Sequence, residues 1–136
     1  MIQSDDTSVL SKFKNVPGYK RVLSIKEIIG DVPKQTVEEI KKFADAVNLP
    51  RSSIVTTNGG FTTTFTTVVD ELHAANISAY VSVLRNEYVA IAFDFFSDPV
   101  VELATYVGRI GIDGVVTDYP KTADAYLSKP ITYPTV

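Results

Sequence analysis

Gly111-Ile112-Asp113-Gly114-Val115-Val116-Thr117-Asp118-Tyr119-Pro120 is the stretch that decides the fold. An apolar Val-Val step follows a Gly and ends in a polar Thr-Asp, and a Pro then opens a new helical pattern. A buried strand of an α/β fold reads this way where it emerges at the mouth of the sheet and turns into a helix. In such folds ligands sit at the carboxyl ends of the strands.

Three more strand-like runs precede it: Lys20–Ile25, Ser53–Thr56 and Ala79–Leu84, all rich in Val, Ile, Thr or Tyr. Helical patterns alternate with them. Thr36–Val47 carries Val37, Ile40, Phe43, Ala44 and Val47 at steps of three and four, with Glu38 and Glu39 near its start. Thr64–Ala75 places Val68, Val69, Leu72 and Ala75 on one face. Asp98-Pro99 suits an N-cap and first helical position, ahead of a stripe of Val100, Leu103, Ala104 and Val107 and a Gly108 near the helix end. Pro120–Leu127 reads as a short helix, and Thr7–Phe13 as one more, after a strand of which Met1-Ile2 is the stump. This β-α alternation predicts an α/β fold with a mostly parallel sheet and right-handed crossovers. Residues 1–127 form the domain, and 128–136, with two prolines and no pattern, read as a loose tail.

The 136 residues suffice for one domain with a core. Forty-five per cent hydrophobic and 21% charged residues, with a mean hydropathy of +0.10, are ordinary for a globular chain. A net charge of −3 without a basic patch gives nucleic-acid binding no electrostatic support. No apolar run approaches the roughly 18 residues that span a bilayer. The absence of cysteine excludes disulfides and Cys-ligated zinc and leaves the compartment open. No leader is expected in the start Met1–Asp6, which is acidic within six residues. Asn76-Ile77-Ser78 is a lone glycosylation sequon.

Several stretches carry a resemblance to a known family: Ile2-Gln3-Ser4 with Ser8-Val9-Leu10, Lys41–Asp45, Val81–Glu87, Phe93–Pro99 and the opening Gly111–Pro120 run. Together they resemble the C-terminal half of a glycerophosphodiester phosphodiesterase barrel of the plant glycerophosphodiester phosphodiesterase-like type. The resemblance implies a partial TIM-type (β/α) barrel of about four C-terminal βα units, from a fold that takes about 250 residues. It implies hydrolysis of glycerophosphodiesters to glycerol 3-phosphate and an alcohol, assisted by a divalent cation, Ca²⁺ or Mg²⁺, with histidines as general acid and base. It also implies a secreted or membrane-anchored parent. The family's His-Arg pair, Glu-x-Asp pair and further His lie on early strands and have no counterpart here. No catalytic residue and no metal ligand is therefore assigned, and the isolated chain is expected to be inactive.

The single histidine, His73, falls inside a helical pattern and reads as a surface side chain. Asp118 and Glu87 lie just past strand ends; each could offer an oxygen to a cation, or serve as a loop residue. Arg85 and Asn86 follow the third strand and should face opposite ways. The resemblance favours Asn86 inward, as a substrate-binding side chain able to bond a glycerol hydroxyl; a turn-forming Asn is the other reading. Gln3, at the end of the stump strand, is a second substrate-binding candidate. Asn58-Gly59-Gly60 reads as a plain turn and not a phosphate cradle, since no Gly-Lys-Thr step follows it. The threonines 62, 63, 64, 66 and 67 read as capping and turn chemistry, and Phe93, Phe95 and Phe96 as a plug under a loop. A half barrel leaves sheet edges open, so a non-catalytic module that associates with itself is an alternative. A flavodoxin-type domain fits the alternation, but this sequence has no phosphate-binding loop after its first strand.

Overall fold

Residues 1–31, 34–87 and 91–128 are described by a computed structural model. β1 (Ile2–Ser4) leads into α1 (Thr7–Lys12), and β2 (Arg21–Ser24) precedes α2 (Lys34–Phe43). β3 (Ala46–Pro50) runs into a one-turn helix α3 (Arg51–Ile54), a hairpin of β4 (Val55–Asn58) and β5 (Phe61–Phe65), and α4 (Val68–Ala74). β6 (Ser78–Leu84) is followed by a 3-10 turn (Phe93–Phe95) and α5 (Pro99–Ala104), which continues as a π-helical stretch (Thr105–Ile110). β7 (Gly114–Thr117) and α6 (Pro120–Ser128) close the described chain. The five parallel strands form one curled sheet in the order β1-β2-β3-β6-β7, a partial (β/α) barrel.

Alternation along the strands builds the two faces. Leu23, Val47, Leu49, Ala79 and Val81 point to the helices and pack with Val68, Leu72, Leu103 and Tyr106. Each fully buried Val or Leu of this kind contributes about 1.5–3 kcal/mol. Asn48, Tyr80 and Gly114 share one register row on the opposite face. Gly114 is required there, because a Cβ would lie 2.8 Å from the Tyr80 ring.

The amino ends of the strands are stitched by charge. Arg21, opening β2, meets Asp45 with Nη2–Oδ1 at 2.8 Å, and its backbone amide donates to Asp45 Oδ2 at 3.0 Å. Asp113, just ahead of β7, accepts from the Ala79 amide at 2.7 Å and pairs with His73 Nε2 at 2.9 Å.

The structure corrects several expectations. The strand after α2 is Ala46–Pro50, not Ser53–Thr56, and the predicted helix Thr36–Val47 stops at Phe43. Ala46, Val47, Asn48 and Leu49 are all buried on a strand covered on both faces, so its burial shows no period of two. Ser53 and Ile54 belong to α3, while Val55 and Thr56 begin the hairpin. Asn58-Gly59-Gly60 is that hairpin's tip, with Gly59 and Gly60 at φ +58° and +84°. Thr62, Thr63 and Thr64 are strand residues rather than caps, and the helix predicted from Thr64 begins at Val68. Gly111, in the left-handed region at φ +81°, ends the helix that Gly108 was expected to end. Asp98 is an N-cap, accepting from the Val100 amide at 2.8 Å, with Pro99 in the first turn. Ser128 ends α6; the rest of the predicted tail, 129–136, lies outside the described residues.

Candidate functional site

A cleft of about 450 Å³ opens at the carboxyl ends of β3 and β6. Pro50 ends β3 in extended conformation, at φ −67° and ψ 149°, and turns the chain directly into α3. That turn places Arg51 on the cleft wall, where Nη1 donates to Glu102 Oε1 at 2.9 Å. α3 is held from behind: Ser53 Oγ accepts from the Ile29 amide at 2.9 Å, and Thr66 Oγ1 donates to the Ser53 carbonyl at 2.6 Å.

Glu102 sits in the first turn of α5 and is 3% exposed. Burial pushes its carboxyl up from the ordinary range, against the pull of the Arg51 guanidinium. Tyr106, one turn on, is also buried and lines the same cleft; burial raises its phenol well above the ordinary value. Ser52, Thr57 and Ser82 add hydroxyl groups to the wall.

The hairpin and the 3-10 turn make the outer side. Phe61 and Phe93 meet edge to face with centroids 5.3 Å apart. The Phe93 amide donates to the Gly60 carbonyl at 2.8 Å, and the Asp94 carboxylate accepts from the Thr62 amide. Phe95 is the buried plug that the sequence suggests, whereas Phe93 and Phe96 are exposed.

Arg85 also lines the cleft, and it is neutralised by Asp118 at 3.0 Å, both side chains being more than half exposed. Glu87 accepts from the Tyr119 hydroxyl at 2.7 Å, which holds its carboxyl below the ordinary range and raises the phenol. The two carboxylates considered for a cation are thus committed to Arg85 and Tyr119. Among the described residues no group of three or more His, Cys, Asp and Glu side chains converges on a metal position. These residues do not fit a divalent cation, which needs several converging oxygens.

Asn86 is partly buried, and its Nδ2 donates to Thr122 Oγ1 on α6 at 2.9 Å. Gln3 lies on β1, exposed, in register with Val22. β1 and β6 are three strand spacings apart in the sheet, roughly 14 Å at about 4.8 Å each, so the two candidates are not brought together. Neither is among the residues lining the cleft. His73 lies at the amino end of the sheet, on an exposed helix face, bonded to Asp113.

Arg51, Glu102 and Tyr106 are the residues that reading the sequence overlooked. Their signal is present: Pro99, Glu102, Leu103 and Tyr106 recur at i, i+3, i+4 and i+7, which sets a carboxylate on the inward stripe of α5.

No protein-family model matches the chain. Curated relatives do. It is 62% identical to the glycerophosphodiester phosphodiesterase GDPDL6 of Arabidopsis thaliana and 59% identical to GDPDL7 of the same plant, each over 96% of this chain. GDPDL1 is 42% identical over 93% of the chain. The chain spans only about 17% of the length of GDPDL6 and GDPDL7. This identity along almost the whole chain leads to one assignment. The chain belongs to the plant glycerophosphodiester phosphodiesterase-like family and corresponds to the C-terminal part of those relatives.

Proposed function

We propose that this chain supplies part of the substrate-holding wall of a barrel that hydrolyses glycerophosphodiesters to glycerol 3-phosphate and an alcohol. The observation that carries the reading is the cleft at the carboxyl ends of β3 and β6, the end at which barrel enzymes bind their ligands. The names of the relatives supply the reaction class. The divalent cation, Ca²⁺ or Mg²⁺, and the histidine acid and base belong to residues beyond those described. The contribution of this chain is binding and orientation. Asn86 has its amide nitrogen committed to Thr122, which leaves its oxygen to accept from a glycerol hydroxyl. Gln3, outside this cleft on β1, would meet the substrate only where the rest of the barrel extends the pocket across the sheet.

Glycerophosphocholine offered to this chain with Ca²⁺ or Mg²⁺ should shift cleft amides in a ¹H–¹⁵N correlation spectrum without being turned over. Metal-dependent turnover would refute the division of labour, and a spectrum unmoved by the ligand would refute the binding wall.

A second reading is favoured by the sheet order, which leaves β1 and β7 as the two edges among the described strands. Edges of this kind are templates for pairing, and we propose that two copies associate through them. Light scattering should then give a mass that rises with concentration above 14.9 kDa; a monomer throughout removes this reading.

A further inference from the structure

Arg51 and Glu102 form a different kind of site from the one their charges suggest singly. The guanidinium has five N–H donors and spends one on Glu102 Oε1. The hydrogen bond to Oε1 is the one that the Glu102 carboxylate makes among the described residues, which leaves Oε2 to accept from a ligand. Glu102 is 97% buried, by its 3% exposure, and both side chains line the cleft. An anion approaching Arg51 would meet the Glu102 carboxylate at contact distance and would have to displace it. The other cleft arginine, Arg85, is likewise neutralised, by Asp118. What the wall offers is therefore donors beside acceptors at no net charge, with the hydroxyls of Ser52 and Ser82 close by. A neutral group that both donates and accepts at adjacent oxygens satisfies such a pair, with one hydroxyl donating to Oε2 and the next oxygen accepting from the guanidinium.

We propose that Arg51 and Glu102 form a binding subsite for a vicinal diol, which in a glycerophosphodiester is the pair of free hydroxyls of the glycerol moiety. The proposal rests on the functional reading above only for that identification of the ligand; the diol subsite itself stands on the geometry of the pair. The phosphate lies outside this subsite, because Glu102 repels it.

The test is a set of ¹H–¹⁵N titrations of this chain with glycerol, propane-1,2-diol, propan-1-ol, inorganic phosphate and glycerophosphocholine. Glycerol and propane-1,2-diol should move the amides of Ser52, Thr57 and Ser82 saturably. Propan-1-ol, with one hydroxyl, should not move them at the same concentrations. In Glu102→Gln the diol affinity should fall about tenfold, as expected for a lost hydrogen bond to a charged group. The same variant should bind phosphate more tightly than the parent, because Arg51 is released from its carboxylate. The diol series on the unaltered chain keeps the test decisive if Glu102→Gln does not fold. Equal shifts from propan-1-ol and the diols, or diol binding undiminished in a folded Glu102→Gln chain, would overturn the subsite. Glycerophosphocholine binding without diol binding would overturn it while leaving the phosphodiesterase reading intact. Diol binding without glycerophosphocholine binding would uphold the subsite and remove that reading.

Discussion

Gly114 stands at the centre of the stretch that identifies the fold, and its role is steric. The Tyr80 ring lies across it on the face opposite the helices, at 2.8 Å and 3.0 Å from where a Cβ would stand. Gly114→Ala should therefore lose about 1–3 kcal/mol in urea unfolding, the usual cost of overpacking. Tyr80→Ala should remove most of that penalty in the double variant; an additive double variant would show that the ring is not the obstacle. The residue-level reading succeeded where a side chain has one local job. Asp98 before Pro99 suits a cap, and His73, off the apolar stripe of its helix, reads as a surface side chain; both are found so. It failed at Arg51 and Glu102, which are 51 positions apart in sequence and meet only through the folded topology. Asn86 shows the intermediate case: its place past a strand end was readable, but its tie to Thr122 depends on where α6 lies.

The hairpin β4–β5 is the element least visible in the sequence. Its threonines have high strand propensity, yet a Thr run before an apolar helical stripe also looks like a capping segment. What makes it a hairpin is tertiary: Asp94 and Phe93 fasten its tip to the 3-10 turn, and Arg109 stacks 4.5 Å above the Phe65 ring at its base. β3 was hidden for the opposite reason: Val47 continues the stripe of α2, and the polar Asn48 is buried along with its apolar neighbours, so no exposed face marks a period of two. The long helical patterns were legible because their partners are all on one face. If the Asp94 carboxylate is what holds the hairpin tip, Asp94→Ala should speed hydrogen exchange of the Thr62 amide about tenfold, the value of one charge-assisted bond. Amides in the middle of β3 and β6 should be unaffected. At α5, Asp98→Ala removes the N-cap and should destabilise the chain by about 1 kcal/mol in the same urea titration. Since Glu102 rides on that first turn, the variant should also weaken diol binding.

At the scale of the whole molecule, carboxylates are held at both ends of the sheet: Glu102 and Asp118 by arginines at the cleft, and Asp45 and Asp113 by Arg21 and His73 at the amino ends. The two sets pull the dependence of stability on pH in different directions. The Arg21 guanidinium and amide hold the Asp45 carboxyl below its ordinary value. Partial burial raises the Asp113 carboxyl, but the Ala79 amide and His73 outweigh it and leave the group lowered. A carboxyl whose folded pKa is depressed binds protons more readily in the unfolded chain. Its stabilisation is present above the unfolded value of about 4 and is lost as the pH falls through the folded one. Both carboxylates are more than a third exposed, so solvent screens each contribution. Glu102 has the opposite sign: with its carboxyl raised by burial, its contribution is present below the ordinary glutamate value and is lost as pH rises through the folded one. The chain should therefore lose stability as the pH falls below about 4, where the depressed carboxyls take up protons. Thermal unfolding followed by circular dichroism between pH 2.5 and 7 measures this directly. Asp45→Asn should lower the midpoint at pH 7 and flatten the acid limb. A variant that kept the parent's full acid slope would move the cause away from the amino-end ion pairs.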